Sequence, residues 1–231
     1  MEQLPLGIRL RAASTFANFQ AGANAPLVAA LEARASTAGL APLWLYGPPG
    51  AGRTHLLQAA CARAGERGRR AGYLPLAMRW PSAEIISGLE QLDLVCLDDV
   101  ERVAGDAAWE RALFGLYNEL AERRGNLVIS AGAAPAAVPV ELKDLASRLA
   151  ASVVWQLRPL DEAEQGRALQ ARALALGVEL PEDTLLYLQR RLPRDLGALC
   201  DALDRLDAAA LSRQRRLTVP FVRSVLQLPG D

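Results

Sequence analysis

Gly47-Pro48-Pro49-Gly50-Ala51-Gly52-Arg53-Thr54 is the stretch whose residue types and spacing most directly suggest chemistry. Two glycines with four residues between them, then a basic residue and a hydroxyl, give the spacing of a phosphate-binding loop. Glycines let such a loop wrap a phosphate with its own N–H groups, and the helix that follows adds partial positive charge. Gly47, Gly50, Ala51, Gly52, Arg53 and Thr54 are therefore candidate nucleotide contacts, with the Thr54 hydroxyl placed for Mg2+. Arg53 stands where such loops usually carry lysine. A planar, bidentate guanidinium suits a diphosphate better than a transferring γ-phosphate, so reduced intrinsic hydrolysis is expected. Lys143 is the sole lysine among 26 basic residues, so arginine-biased composition also contributes.

About forty residues on, Leu94-Val95-Cys96-Leu97 runs into Asp98-Asp99. A buried strand ending in carboxylates beside the loop could hold Mg2+ and orient water. Asp98 and Asp99 are the candidate catalytic acids, with Thr54 and Asp98 as the metal pair. Ser130 ends another apolar run, where a polar γ-phosphate sensor would sit.

These residues need a scaffold. Leu43–Tyr46, Tyr73–Leu76, Leu94–Leu97, Leu127–Ser130 and Val153–Leu157 are short apolar runs alternating with helical patterns such as His55–Arg67, Trp109–Arg123 and Val140–Leu149. Continuous apolar runs predict strands covered on both faces, hence a parallel α/β sheet. After Arg158-Pro159-Leu160 only helix signals remain: Asp161–Leu176 ending at Gly177, a helix opened by Pro181-Glu182-Asp183, one from Pro193 to about Arg213, and one from Thr218 to about Leu228. A small helical bundle is expected there.

Charge balances at 26 acidic and 26 basic residues, which gives no global reason for the chain to hold DNA by itself. Cys61, Cys96 and Cys200 are far apart and His55 is the sole histidine, which excludes a Cys/His zinc site on spacing. No apolar run has the length of a signal peptide or membrane span, so a cytoplasmic protein with reduced thiols is expected. The arginine clusters 67/69/70, 123/124 and 213/215/216 read as solvated helix ends, and Trp44, Trp109 and Trp155 as core or interface residues.

Several longer stretches resemble the DnaA/Hda family of AAA+ proteins. Thr15-Phe16-Ala17-Asn18-Phe19-Gln20-Ala21-Gly22-Ala23-Asn24 is similar to the TFxNFxxGxxN box that opens the family's core and helps form its adenine pocket. Gly52-Arg53-Thr54-His55-Leu56-Leu57 resembles GKTHLL. By this match His55 joins the nucleotide contacts, although its chemistry alone reads as structural, behind the loop. Asp144-Leu145-Ala146-Ser147-Arg148-Leu149 resembles the arginine-finger motif, which implies that role for Arg148. Pro193-Arg194-Asp195-Leu196-Gly197-Ala198-Leu199 resembles the start of the family's sensor-2 helix, which implies Arg194 as a nucleotide contact.

The matches run in order from about residue 14 to 228. The resemblance implies an α/β AAA+ core with a five-stranded parallel sheet, order 5-1-4-3-2, over 14–158, and an all-α lid over 159–231. It stops short of the helix-turn-helix domain that follows in DnaA, and so implies one of the family's short regulatory members. Gln3-Leu4-Pro5-Leu6 resembles the QLxL start of sliding-clamp-binding peptides, so Gln3, Leu4 and Leu6 within 1–13 are candidate partner contacts. The implied function is negative control of replication initiation: a chain holding ADP or ATP with Mg2+, tethered to the DNA polymerase III sliding clamp, presents Arg148 to ATP on DnaA. DNA contact would be only through the clamp, with no membrane partner and self-association possible. The rival reading is an autonomous AAA+ ATPase, a helicase loader or remodeler, using Asp98 and Asp99 for its own turnover.

Overall fold

The structure, a computed structural model, describes residues 14–193, 196–213 and 217–228. In chain order the core comprises α1 (Ala25–Ser36), β1 (Leu43–Tyr46), α2 (Arg53–Glu66), β2 (Ala71–Pro75), β3 (Leu94–Asp98), α3 (Ala107–Glu122), β4 (Asn126–Ala131), α4 (Lys143–Ala150) and β5 (Val153–Gln156). All five strands are parallel, in the order β2-β3-β4-β1-β5, which read from the other edge is the expected 5-1-4-3-2.

The apolar runs become strands because both faces are covered, and alternate residues supply alternate layers. Leu43 and Leu45 of β1, with Leu94 and Cys96 of β3, pack on one side with Leu27 and Leu31 of α1 and Leu56, Leu57 and Ala60 of α2. Trp44, Val95 and Leu97 face the other side, where Leu113, Leu116 and Leu120 of α3 join Leu145 and Leu149 of α4. Trp44 is fully buried and its indole N–H donates to the Ala133 carbonyl (2.9 Å), a core role as expected.

Three features differ from the sequence reading. Helix α1 follows the box at 15–24, in a stretch to which the sequence reading gave no element. The helix expected over Val140–Leu149 begins at Lys143, because the N–H groups of Glu141 and Leu142 donate to the Glu110 carboxylate instead of entering a helix. Arg69 is no solvated helix end: its guanidinium donates to the carbonyls of Arg34, Thr37 and Asp93 and ties α1 to the strand entrances.

Four more helices follow: α5 (Glu162–Ala175), α6 (Glu182–Arg191), α7 (Leu196–Arg213) and α8 (Val219–Leu226). Asp161 and Glu164 form a reciprocal capping box at the start of α5, and Gly177 takes φ +77° just past its end. Leu169, Leu188, Leu199, Leu203, Leu206 and Phe221 build a hydrophobic cluster of their own. Arg172 of α5 grips Asp204 of α7 through both carboxylate oxygens (2.8 and 2.7 Å). No helix among the described residues is long and apolar enough to cross a membrane.

Candidate functional site

The phosphate loop joins β1 to α2 at the carboxyl ends of the strands. Gly50 and Gly52 adopt φ +77° and +104°, conformations open to glycine and costly for other residues. A Cβ on Gly52 would stand 2.8 Å from Cε2 of Phe19, and one on Gly47 would stand 2.7 Å from the Leu157 carbonyl. The loop is thus held tight from behind. At the start of α2 the N–H groups of Gly52, Arg53 and Thr54 find no acceptor among the described residues. Such a helix end fits an anion, so the residues present suit a phosphate.

Asp98 closes β3 and is 2% exposed. Its carboxylate accepts from the hydroxyls of Thr54 (2.7 Å) and Tyr73 (2.8 Å) on one oxygen and of Ser130 on the other. Burial, then the Asp98 charge and its hydrogen bond, push the Tyr73 phenol well above its usual range, so Tyr73 stays protonated and acts as a donor. Ser130 also accepts from the Asp99 N–H (3.0 Å) and is fully buried, so its hydroxyl braces the two acids.

Asp99 turns the chain out of the sheet with φ +58°, ψ +51°, a conformation uncommon outside glycine. Burial and then the Asp98 charge raise its carboxyl above the ordinary value, against the lowering pull of Arg53. Arg53 meets that need. Its Nη2 lies 3.0 Å from Asp99 Oδ1 and its Nη1 lies 3.7 Å from Glu101 Oε1. The loop's basic residue therefore rests on two acids at the end of β3.

The amino-terminal box lies over this loop. His55 Nε2 hydrogen-bonds the Thr15 carbonyl (2.9 Å) and its ring lies tilted by 40° against Phe19, centroids 5.5 Å apart, so it joins box to helix. Ser14 donates to Gln58 of α2 (3.0 Å). Asn24 clasps the Arg158 peptide, donating to its carbonyl (3.0 Å) and accepting from its N–H (2.9 Å), at the exit from β5 toward the helical bundle.

Arg148 sits away from this cluster, in the last turn of α4 and exposed. Its Cζ lies 5.7 Å from the centroid of the Tyr117 ring, and it makes no ion pair with Asp144 or any other described carboxylate. Gln3, Leu4, Leu6 and Arg194 lie outside the described residues.

Sequence reading did not assign roles to Tyr73 or Glu101, and took Asn24 only as the last residue of the amino-terminal box. Tyr73 was visible as a polar-tipped residue opening an apolar run, and Glu101 as an acid two positions past Asp99. Nothing local pointed to the Asn24–Arg158 clasp, whose partners are 134 positions apart.

Comparison with known proteins agrees with this geometry. The lid domain of Hda matches residues 161–226. The fold is similar to domain III of the replication initiation protein DnaA from Thermotoga maritima, with TM-score 0.78 and 23% identity over 93% of this chain and 95% of that one. It is also similar to AMPPCP-bound DnaA from Aquifex aeolicus (TM-score 0.68, 21% identity, 89% of this chain and 70% of that one). The RuvB Holliday junction branch migration motor of Thermotoga maritima is a further neighbour (0.62, 15%, 87% and 65%). The chain thus carries an AAA+ core folded like that of DnaA, followed by a stretch that matches the lid domain of Hda.

Proposed function

We propose that this chain is a DnaA-related negative regulator of replication initiation, which holds an adenine nucleotide and lends Arg148 to ATP bound on a DnaA-type partner. The observation that carries the reading is Arg148 itself: an exposed guanidinium in the last turn of α4, paired with no described carboxylate and held against an aromatic ring. An arginine committed to a surface ion pair would be a poor donor to another protein's phosphate. This one keeps its hydrogen-bonding edge for a partner.

The nucleotide, ADP or ATP, would be held by the loop N–H groups of 47–54, with Arg53 and Arg194 toward its phosphates and the His55–Phe19 contact bracing the loop from behind. Mg2+ would take the Thr54 hydroxyl and Asp98, whose oxygens already lie 2.7 Å apart, and would neutralise phosphate charge when bound. Asp99 stands next to it as the acid closest to Arg53. The commitment of Arg53 to Asp99 and Glu101 supports weak intrinsic hydrolysis, as does the mismatch of a guanidinium to a transferring γ-phosphate. The division that goes with this function is a clamp-binding segment at 1–13, a nucleotide-binding core at 14–158 and a lid at 159–231. Gln3, Leu4 and Leu6 would tether the chain to the sliding clamp in the cytoplasm, with DNA reached only through the clamp.

The test is hydrolysis of ATP preloaded on DnaA, with clamp on DNA and this chain added. Arginine fingers contribute roughly 10³–10⁵ in rate, so Arg148→Ala should abolish stimulation while leaving folding, ADP binding and clamp binding intact. Arg148→Lys should rescue little, since an ammonium cannot bridge two oxygens. Native-level stimulation by Arg148→Ala overturns the assignment, and brisk ATP turnover by the chain alone would favour the autonomous ATPase.

A further inference from the structure

The contact that holds Arg148 is made by a residue that cannot move with it. Tyr117 lies on α3, is 9% exposed, and is packed in the core with Leu113, Leu116, Leu145 and Leu149. The same helix secures the other end of α4. Glu110, seven residues before Tyr117 and hence on the same face of α3, accepts from the N–H groups of Glu141 (3.0 Å) and Leu142 (2.7 Å) at the entrance to α4. Helix α3 therefore fixes where α4 begins and what its last arginine rests on. Left alone, an exposed arginine spreads over many rotamers, and a partner would meet the right one only part of the time.

We propose that Tyr117 is a positioning residue for Arg148: its ring holds the guanidinium at the exposed corner of α4, ready for the phosphate of a partner's nucleotide. The proposal rests on the arginine role given above. It is the π face that acts, not the hydroxyl, since the ring quadrupole attracts the cation. Tyr117→Phe keeps the face. Tyr117→Leu removes it and leaves an apolar side chain in the core.

Two measurements test this, on the full chain. In the first, the Nε–Hε resonance of Arg148, assigned by its disappearance in Arg148→Lys, is recorded by NMR. The ring current should displace it in the native chain and in Tyr117→Phe, and the displacement should vanish in Tyr117→Leu. In the second, stimulated hydrolysis of DnaA-bound ATP is followed against concentration. An exposed cation–π contact biases the arginine population about two- to fivefold, so Tyr117→Leu should lower the maximal rate by about that factor with the half-saturating concentration unchanged. Tyr117→Phe should match the native chain, and Tyr117→Leu should add nothing on an Arg148→Ala background.

Unfolding of Tyr117→Leu would remove both readouts along with thermal stability, and Tyr117→Met, which also removes the π face but fills more of the space, then replaces it with the same two expected losses. A native resonance and native rate in Tyr117→Leu, with Arg148→Ala inactive, overturns the proposal and leaves the function standing. Native stimulation by Arg148→Ala overturns the function and the catalytic half of this proposal, and the ring contact then stands or falls on the resonance.

Discussion

Glu110 is an acid with 2% exposure in the middle of an apolar helix face, and removing it should open the entrance to α4. Its carboxylate accepts from the N–H groups of Gly105 (2.8 Å), Glu141 (3.0 and 3.1 Å) and Leu142 (2.7 Å). Hydrogen bonds to a charged group contribute about 1.5–3 kcal/mol each, but Gly105 and Glu141 are exposed and water can take over their N–H groups. Half-buried Leu142 has the least relief. Glu110→Ala should therefore cost about 2–4 kcal/mol, counting one full loss and two partial ones. Glu110→Gln, which keeps one acceptor oxygen, should cost less.

The charge adds a pH signature. Burial pushes the Glu110 carboxyl up, but the N–H groups of Gly105, Glu141 and Leu142 together outweigh it and hold the group below the ordinary glutamate value, with Asp106 a small opposing charge. A carboxyl with a depressed native value stabilises the fold above its unfolded value, near 4.3, and that contribution is lost as pH falls through the native value. Urea unfolding followed by tryptophan fluorescence tests both points, because Trp44, Trp80, Trp109 and Trp155 all precede the helical bundle. The midpoint should fall at constant slope for Glu110→Ala at pH 7, and the gap between native and Glu110→Gln should close as pH falls from the unfolded value, about 4.3, through the lower native value. A midpoint shift worth less than about 0.5 kcal/mol, or a gap independent of pH, would refute the reasoning.

Gly52→Ala should cost about 1–3 kcal/mol, because φ +104° is strained for alanine and the new Cβ would meet Phe19 at 2.8 Å. Its melting temperature should drop by several degrees and nucleotide-dependent stabilisation should disappear; an unchanged melt would mean that the loop relaxes freely. Asn24→Ala should leave both polar groups of the Arg158 peptide without their partner, at about 1–3 kcal/mol, and amide exchange at Arg158 should accelerate while that of β3 does not. Gln3→Ala/Leu4→Ala should weaken retention on immobilised clamp, and equal retention would make the QLxL match accidental.

What could be read in the sequence was what neighbouring residues decide together. The strands were legible because burial on both faces demands uninterrupted apolar runs, and Leu94–Leu97 has no polar residue to blur the pattern. The phosphate loop was legible because eight adjacent residues carry its geometry. Residues 140–142 were misread as helix because what stops them, Glu110, is some thirty positions away and looks like any helical glutamate. Arg69 was misread for the same reason: its carbonyl partners belong to two other segments, the end of α1 and the entrance to β3. Local pattern gives the period of an element, while its ends are set by whichever distant group claims the N–H and C=O groups there.

Arg53 joins the two kinds of information. In sequence it reads as a departure from lysine, and arginine-rich composition could account for it. In the fold it has a structural counterpart: a single forked guanidinium lies against Asp99 with one nitrogen and toward Glu101 with the other, a span that a compact ammonium would not cover. Asp99 needs such a neighbour. Its backbone takes a conformation unusual for a residue with a side chain, and burial beside Asp98 makes its ionised form costly. The match is incomplete, because the buried atoms Arg53 Nη1 and Glu101 Oε2 have no hydrogen-bond partner among the described residues. Buried charge left half-satisfied opposes stability, so the pairing of Arg53 with these acids is better understood as part of a site than as a device for holding the fold together.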